Sequence, residues 1–207
     1  MRVWLVIVLL FAVACEKKPA GSGTTGSASS PLNDEAAREQ ARFDAERRPD
    51  KVVEALAIKP GSVVADVGAG SGLLTVHLAR AVAPNGKVVA TDVDGGVLGF
   101  LNQRLKSQNL ANVVETRVVA ADTPGLEPAT YDAILLAEVD HYFTDPAAWL
   151  REAGKALKPE GRIVISNRIY HRAQTMASAK KAGLVLLTET TPVPTHFIAV
   201  FTTEAKK

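Results

Sequence analysis

The chain has 207 residues, 47% of them hydrophobic and 22% charged, which suits one globular domain with an appendage and excludes a chain disordered throughout. The formal net charge is +2, yet Arg2, Lys17, Lys18, Lys206, Lys207 and Glu16 all lie in terminal segments, and without them the body carries about −2. A body so close to neutral lacks the electrostatic footprint of a phosphate-backbone binder, so no nucleic-acid partner is expected.

One cysteine, Cys15, rules out an intramolecular disulfide, a CxxC redox pair and a cysteine-rich metal centre. Arg2 is followed by an apolar run from Val3 to Ala14. That is the length of a signal-peptide core and short of the roughly 20 residues a membrane span needs. The run ends Ala12-Val13-Ala14-Cys15. Small residues before a cysteine at that place resemble the lipobox of bacterial lipoproteins, with Ala12 where Leu is more usual. The resemblance implies that residues 1–14 are a signal peptide cut before Cys15, that Cys15 is lipidated, and that the protein is anchored to a bacterial membrane outside the cytoplasm. Glu16, in place of the Asp that retains enterobacterial lipoproteins at the inner membrane, leans toward the outer membrane. The alternative is an uncleaved N-terminal anchor with an inert Cys15. Residues 15–32 then comprise the lipidated cysteine and a flexible linker, since Glu16 to Pro31 is mostly Lys, Gly, Ser, Thr and Ala with little to bury.

Asn33 is placed to cap a helix through Arg47, with Asp34 and Glu35 in its first turn. Pro49 interrupts it, and Asp50 is expected to cap a second helix over Lys51 to Ile58. After the Lys59-Pro60-Gly61 turn the rhythm becomes regular. Strands are expected at Val63 to Val67, Lys87 to Thr91, Val113 to Val119, Tyr131 to Ala137 and Arg162 to Ser166. Helices are expected at Leu73 to Val82, Val97 to Gln108, Ala147 to Leu157 (behind the Asp145-Pro146 cap) and Ala173 to Ala182, the last stopped by Gly183. Leu184 to Thr190 and Phe197 to Thr202 close the chain as two strands. Strands alternating with helices of this length argue an α/β fold with a parallel sheet covered on both faces.

The most informative stretch is Val63-Val64-Ala65-Asp66-Val67-Gly68-Ala69-Gly70-Ser71-Gly72. It leaves a buried strand and enters a helix, where a ligand-binding loop belongs in a doubly wound sheet. Glycines there let the backbone turn sharply and let a ligand approach closely. A dinucleotide fingerprint would place its third glycine where Leu73 stands. The absence of a following Tyr-x-x-x-Lys pair or Gly-Lys-Ser/Thr leaves the short-chain dehydrogenase and P-loop readings unsupported. The pattern D-x-G-x-G-x-G resembles motif I of the class I S-adenosylmethionine-dependent methyltransferases, and the resemblance extends over about residues 45–202. It implies a Rossmann-like doubly wound sheet of seven strands in the order 3-2-1-4-5-7-6, strand 7 antiparallel, in a domain at 33–207 that takes S-adenosylmethionine as cofactor.

By that resemblance Asp66 positions the amino-acid end of the cofactor, and Gly68, Ala69, Gly70 and Gly72 cradle it. Asp92, ending the second strand before Val93, takes the two ribose hydroxyls, a contact with a sound basis in charge-assisted bidentate bonding. Asp122 follows the third strand, where an acid meets the adenine amino group, and Glu138 past the fourth strand joins the cofactor contacts. Asp94 reads as the acid that starts a helix. Lys158-Pro159-Glu160-Gly161 resembles the family's K-P-G-G turn.

Methyl transfer is an in-line displacement at a sulfonium carbon, so positioning the nucleophile dominates, and a base helps only where the nucleophile carries a proton. The residues at the carboxyl ends of strands four and five are Glu138, Asp140, His141, Tyr142 and Asn167. His141 leads as catalytic candidate, with Asp140 and Tyr142 beside it. The resembling subgroup carries Tyr-His where this chain has Asp140-His141, which leaves the tyrosine's place to Tyr142. His171 is a further candidate, while His77 and His196 read as structural. No metal is expected, because no pair of acids or histidines has ligand spacing. Between strand five and the last helix only Arg168 to Arg172 intervenes, where the subgroup has a longer covering segment. The leading expectation is a lipid-anchored methyltransferase with an unidentified acceptor. The alternative is a non-catalytic lipoprotein that binds S-adenosylmethionine or a nucleoside as sensor or scaffold.

Overall fold

The computed structural model describes residues 31–203; Cys15, the apolar run before it and most of the linker lie outside the described residues. Two helices, α1 (Pro31–Arg47) and α2 (Pro49–Leu56), precede the alternating part. There follow β1 (Val63–Val67), α3 (Thr75–Val82), β2 (Lys87–Asp92), α4 (Gly95–Ser107), β3 (Val114–Val118), β4 (Tyr131–Ala137), α5 (Pro146–Gly154), β5 (Leu157–Arg168), α6 (Arg172–Lys181), β6 (Leu184–Val193) and β7 (His196–Thr203). All seven strands form one sheet in the order β3-β2-β1-β4-β5-β7-β6, with β7 antiparallel to both of its neighbours. This is the expected α/β architecture, strand for strand.

The sheet is doubly wound because its strands are apolar on both faces. Val64, Val88, Ala90, Leu135 and Val164 pack under α2, α3 and α4, while Ala65, Val67, Ile134, Leu136 and Ile165 pack under α5 and α6. At about 1.5–3 kcal/mol for each large apolar side chain removed from water, these two layers supply the main driving force of the fold. Local chemistry sets the helix starts. Asp94 caps α4, its side chain accepting from the amides of Gly96 at 2.7 Å and Val97 at 3.4 Å. Asp145 caps α5 by accepting from Ala148 at 3.0 Å, with Pro146 at the first helical position.

Three expectations need correction, the first being that α1 already runs from Pro31, so Asn33 lies within the helix and does not start it. Helix α2 starts at Pro49 behind Arg48, whose φ is 51° and which makes no side-chain cap; Asp50 instead accepts two bonds from the Arg48 guanidinium, at 2.9 and 2.7 Å. Strand β5 begins at Leu157, not Arg162, because Leu157 already pairs with Tyr131; a register shift between Tyr131 and Ala133 absorbs the Lys158–Gly161 turn within the strand. Helix α5 accordingly stops at Gly154.

Helix α1 lacks an apolar stripe, and its docking is polar. Arg104, buried on α4, donates from Nε to the carbonyl of Ser71 at 3.0 Å and from Nη1 to the carbonyl of Ala36 and Oε1 of Gln40, each at 3.3 Å. Its Nη2 pairs with Glu39 at 2.5 Å. Gln40 donates to the carbonyl of Leu73 at 3.0 Å, and His77 on α3 pairs with Asp44 at 2.8 Å. Arg104→Met keeps the aliphatic stem and removes every donor. It should destabilise α1 docking by about 1–3 kcal/mol. Amide hydrogen exchange should accelerate across α1 while the sheet stays protected, and unchanged exchange in α1 would count against this account.

Candidate functional site

β1 lies at the switch point of the sheet, between β2 and β4, where the connections leave toward opposite faces and a crevice opens beyond the strand ends. The loop leaving β1 is tied to the end of β2. The amides of Gly68 and Ala69 donate to the carbonyl of Thr91 at 2.8 and 3.0 Å, and the amide of Gly70 donates to Oδ2 of Asp92 at 2.9 Å. Gly68 and Gly72 adopt φ of 69° and 86°, the left-handed region that favours glycine. A Cβ at Gly68 would stand 2.8 Å from Cγ2 of Val139, and one at Gly72 would stand 2.8 Å from Cγ of Leu101. Glycine is therefore required twice over at each, by conformation and by close approach.

Asp66 is buried, and Oγ1 of Thr75 donates to its Oδ2 at 2.7 Å. Burial pushes its pKa up to about 6, against the Thr75 bond and with some help from the Asp92 charge. Among the described residues it enters no salt bridge. It borders a small cavity of about 150 Å³ shared with Phe43, Arg47, Ala69, Gly70 and Glu138. Next to it, sharing Gly68, Ala137 and Glu138, lies a cavity of about 460 Å³ lined by Asp92, Val93, Val119, Asp122, Phe143 and Trp149. The structure thus brings Asp66, the glycine loop, Asp92, Val93, Asp122 and Glu138 around two adjoining spaces.

The acids differ in how much of their bonding capacity is already committed. Asp92 accepts from Gly70 on one oxygen and from the amide of Asp94 at 3.1 Å on the other, which orients the carboxylate and leaves about two of its four lone-pair sites open. Asp122, at φ 62°, accepts from the amide and the hydroxyl of Thr144, both at 2.7 Å, clasping the loop after β3 to the one before α5. Those two bonds, the hydroxyl first, hold its pKa below the usual carboxylate range. Glu138, at φ 55°, pairs with two guanidiniums, Arg47 of α1 and Nε of Arg168 at 2.8 Å, while Nε2 of His196, a ring whose pKa burial lowers, stands 3.5 Å away. Burial opposes its ionisation, but the Arg168 bond and the Arg47 charge outweigh burial and hold its pKa low.

The three catalytic candidates separate. Tyr142 lines the larger cavity and is 77% exposed. His141, half-buried and in the lining of neither cavity, stacks on His171 with ring centroids 4.0 Å apart and meets Tyr142 at 4.1 Å. Asp140 does not reach a ligand: it is buried, with its oxygens accepting from Asn167 at 2.6 Å and Thr175 at 2.5 Å, so its place is behind the site and not in it. Sequence reasoning missed Arg47 and Arg168, which set the charge at Glu138, and the stacked pair Phe143–Trp149, ring centroids 4.4 Å apart, which walls the larger cavity. Phe143 follows directly on Asp140-His141-Tyr142, and nothing in its spacing to Trp149 marks a shared wall; Arg47 is visible only as a helix-end charge.

The raised pKa of Asp66 has a definite sign. Folded protein holds a proton there that the unfolded chain has released, so ionising Asp66 costs stability as pH rises from about 4 to about 6. Asp66→Asn should therefore be indistinguishable from the native protein near pH 4 and more stable above pH 6, by about 2–3 kcal/mol. Urea unfolding of both proteins across that range checks it; parallel curves would remove the buried-acid assignment.

The sequence model of a methyltransferase domain matches residues 65–163, which span β1 to the middle of β5. Among curated proteins, the ubiquinone/menaquinone biosynthesis C-methyltransferase of Cellvibrio japonicus is 32% identical over 114 residues, covering 55% of this chain and 45% of that protein. The demethylmenaquinone methyltransferase of Lactobacillus johnsonii is 26% identical over 115 residues, 56% of this chain and 47% of that protein. The match thus spans less than half the length of these relatives. Among solved structures, a SAM-dependent methyltransferase from Aquifex aeolicus superposes with a TM-score of 0.72 at 22% identity, covering 84% of this chain and 98% of the other. Geranyl diphosphate C-methyltransferase from Streptomyces coelicolor, solved with S-adenosyl-L-homocysteine, gives 0.66 at 14% identity and 86% coverage of both chains. At these identities the solved structures speak to the fold. Over residues 65–163 the chain thus matches the sequence model of a methyltransferase domain, and its seven-stranded Rossmann-like sheet has the fold of the solved S-adenosylmethionine-dependent methyltransferase it superposes on.

Proposed function

We propose that the protein is an S-adenosylmethionine-dependent methyltransferase, held at a bacterial membrane by lipid on Cys15 and acting outside the cytoplasm. The observation that carries the enzymatic reading is the adjoining pair of cavities, one bordered by the buried Asp66 and the other by Asp92, which two amides orient. S-adenosylmethionine fits that set. Its ammonium answers the uncompensated carboxylate of Asp66, and Nε of Arg47, buried and without a hydrogen-bond partner beside the same small cavity, answers its carboxylate. The open lone pairs of Asp92 suit the ribose diol, and the Phe143–Trp149 wall with Val93 and Val119 suits the adenine. When bound, the cofactor supplies an electrophilic methyl group on sulfonium sulfur.

The chain's own residues do the rest by positioning. Asp66 and the glycine loop hold one end of the cofactor and Asp92 the middle. The groups at the ends of β4 and β5 orient the acceptor for in-line attack. Those groups include a run of touching rings: Tyr142, His141, His171 and Tyr170. The curated relatives are named for ubiquinone and menaquinone biosynthesis, and ring acceptors are accordingly the first to screen. A second reading, a ligand-binding lipoprotein without turnover, is favoured by one observation. Only the short turn Ile169–His171 joins β5 to α6, too little chain to cover an acceptor.

No helix among the described residues is long and apolar enough to cross a membrane, so in this reading the anchor is the acylated Cys15. Labelling with radioactive palmitate in a bacterial host should mark the native protein and not Cys15→Ser; an unlabelled native protein overturns the anchor. For the cofactor, calorimetric titration of S-adenosylmethionine and its demethylated product should show binding to the native protein and none to Asp66→Ala. Asp92→Ala should bind about 1–3 kcal/mol more weakly, the scale of lost charge-assisted hydrogen bonds. Unchanged affinity in Asp92→Ala would refute the ribose assignment. Binding without transfer of labelled methyl to any membrane-extract acceptor would favour the second reading.

A further inference from the structure

Behind His141 lies a buried polar chain that no cofactor contact accounts for. Asp140, Asn167 and Thr175 are all withdrawn from solvent, Asn167 completely. Oδ1 of Asn167 accepts from the backbone amide of Arg168 at 2.7 Å, which commits the carboxamide oxygen. Nδ2 then has two protons to place. One goes to Oδ1 of Asp140 at 2.6 Å and the other to Nδ1 of His141 at 3.0 Å. Turning the amide over would set its oxygen against a carboxylate and an N–H against an N–H, so its neighbours admit one orientation. The hydroxyl of Thr175, donating to the second oxygen of Asp140, fixes the acid that fixes the amide.

A donor aimed at Nδ1 needs a lone pair there. Of the three protonation forms of imidazole, only the neutral ring with its proton on Nε2 offers one; the other tautomer and the imidazolium both carry a hydrogen at Nδ1. The surroundings act in the same direction. Burial first, then the neighbouring His171, lower the pKa of His141, with the Arg168 charge adding; the carboxylates of Asp140 and Glu138 oppose them without prevailing. The stacked ring of His171 also covers one face of His141, which leaves the ring edge to a ligand.

We propose that Asp140 and Asn167 are positioning residues that hold His141 as the neutral tautomer protonated on Nε2, so that it meets the methyl acceptor as a hydrogen-bond donor to oxygen and not as a general base. The inference rests on the methyltransferase reading and narrows its substrate class. A ring locked in this form removes no proton from a nucleophile. It stabilises a carbonyl, phenolate or enolate oxygen, so the acceptor carries such an oxygen and reaches the site with its nucleophilic electron pair already available. A protonated amine or an un-ionised alcohol would find no base in His141.

The test reads the ring itself. Long-range proton–nitrogen correlation spectra of the nitrogen-15-labelled full chain at pH 7 report the tautomer of each histidine, with His141 assigned by its loss in His141→Gln. The native protein should show a single Nε2–H pattern for His141. Asn167→Asp replaces the donor by an acceptor and should convert the pattern to Nδ1–H; Asn167→Ala should yield a mixture. A native ring that is Nδ1–H or doubly protonated overturns the proposal, and this result does not depend on either Asn167 variant. So does an Nε2–H pattern that persists unchanged in both Asn167 variants. The spectra are recorded without cofactor, so failure here is distinct from a failure to bind S-adenosylmethionine.

Discussion

Three hydrogen bonds from loop amides to the last two residues of β2 hold the site together. The carbonyl of Thr91 takes two of them and the carboxylate of Asp92 the third. Their effect is to make the shape of the glycine loop and the aim of Asp92 a single variable. The loop can pass close to a ligand only because its residues are small and its three glycines are left-handed, and such a segment has much conformational freedom to lose on ordering. Anchoring it to a buried parallel strand transfers the rigidity of the sheet to the one place where the backbone must be permissive. Everything nearer the ligand is positioned relative to that tether, including the Val139 side chain packed against Gly68.

A second constraint is electrostatic. Glu138 ends β4 in a left-handed turn and gathers Arg47, Arg168 and His196 from three other elements, so one carboxylate joins α1, β5 and β7 at the floor of the crevice. The buried Asp66 stands on the other side of the same small cavity without such compensation. Two acids within one space are thereby set differently: one is neutralised by the protein, the other is left for what binds. That contrast in charge, more than shape, gives the crevice a direction.

How much of this could be read from the chain depended on whether the cause was local. β1 and β4 were legible because both are apolar runs interrupted by a single acid, and Asp94 and Asp145 were legible as helix starts because a cap acts within three residues. The early beginning of β5 was not, since Leu157 looks like the end of a helix until Tyr131 is known to lie beside it. Asp66, the glycines and Asp92 announced themselves by spacing. The Asp122–Thr144 clasp joins residues 22 apart in sequence and carries no pattern. Asp140 misled for the same reason: beside His141 in the sequence it looks like a site acid, and only the fold of β5 and α6 over it shows that Asn167 and Thr175 have taken its oxygens. The docking of α1 was invisible because its sequence has no stripe to show.

That polar docking sets α1 apart from the other helices in how it answers to its solvent. Contacts among partly exposed charges weaken as ions screen them, on a length of about 8 Å at physiological ionic strength, whereas apolar layers do not weaken that way. Helix α1 carries Phe43 and Arg47 on the wall of the small cavity, and the acids that hold it, Glu39 and Asp44, are themselves partly exposed. The sheet and its two apolar layers are therefore insensitive to the screening of charge while one wall of the crevice is responsive to it. A compartment whose ionic composition varies would act on the fit of the cavity without touching the stability of the fold.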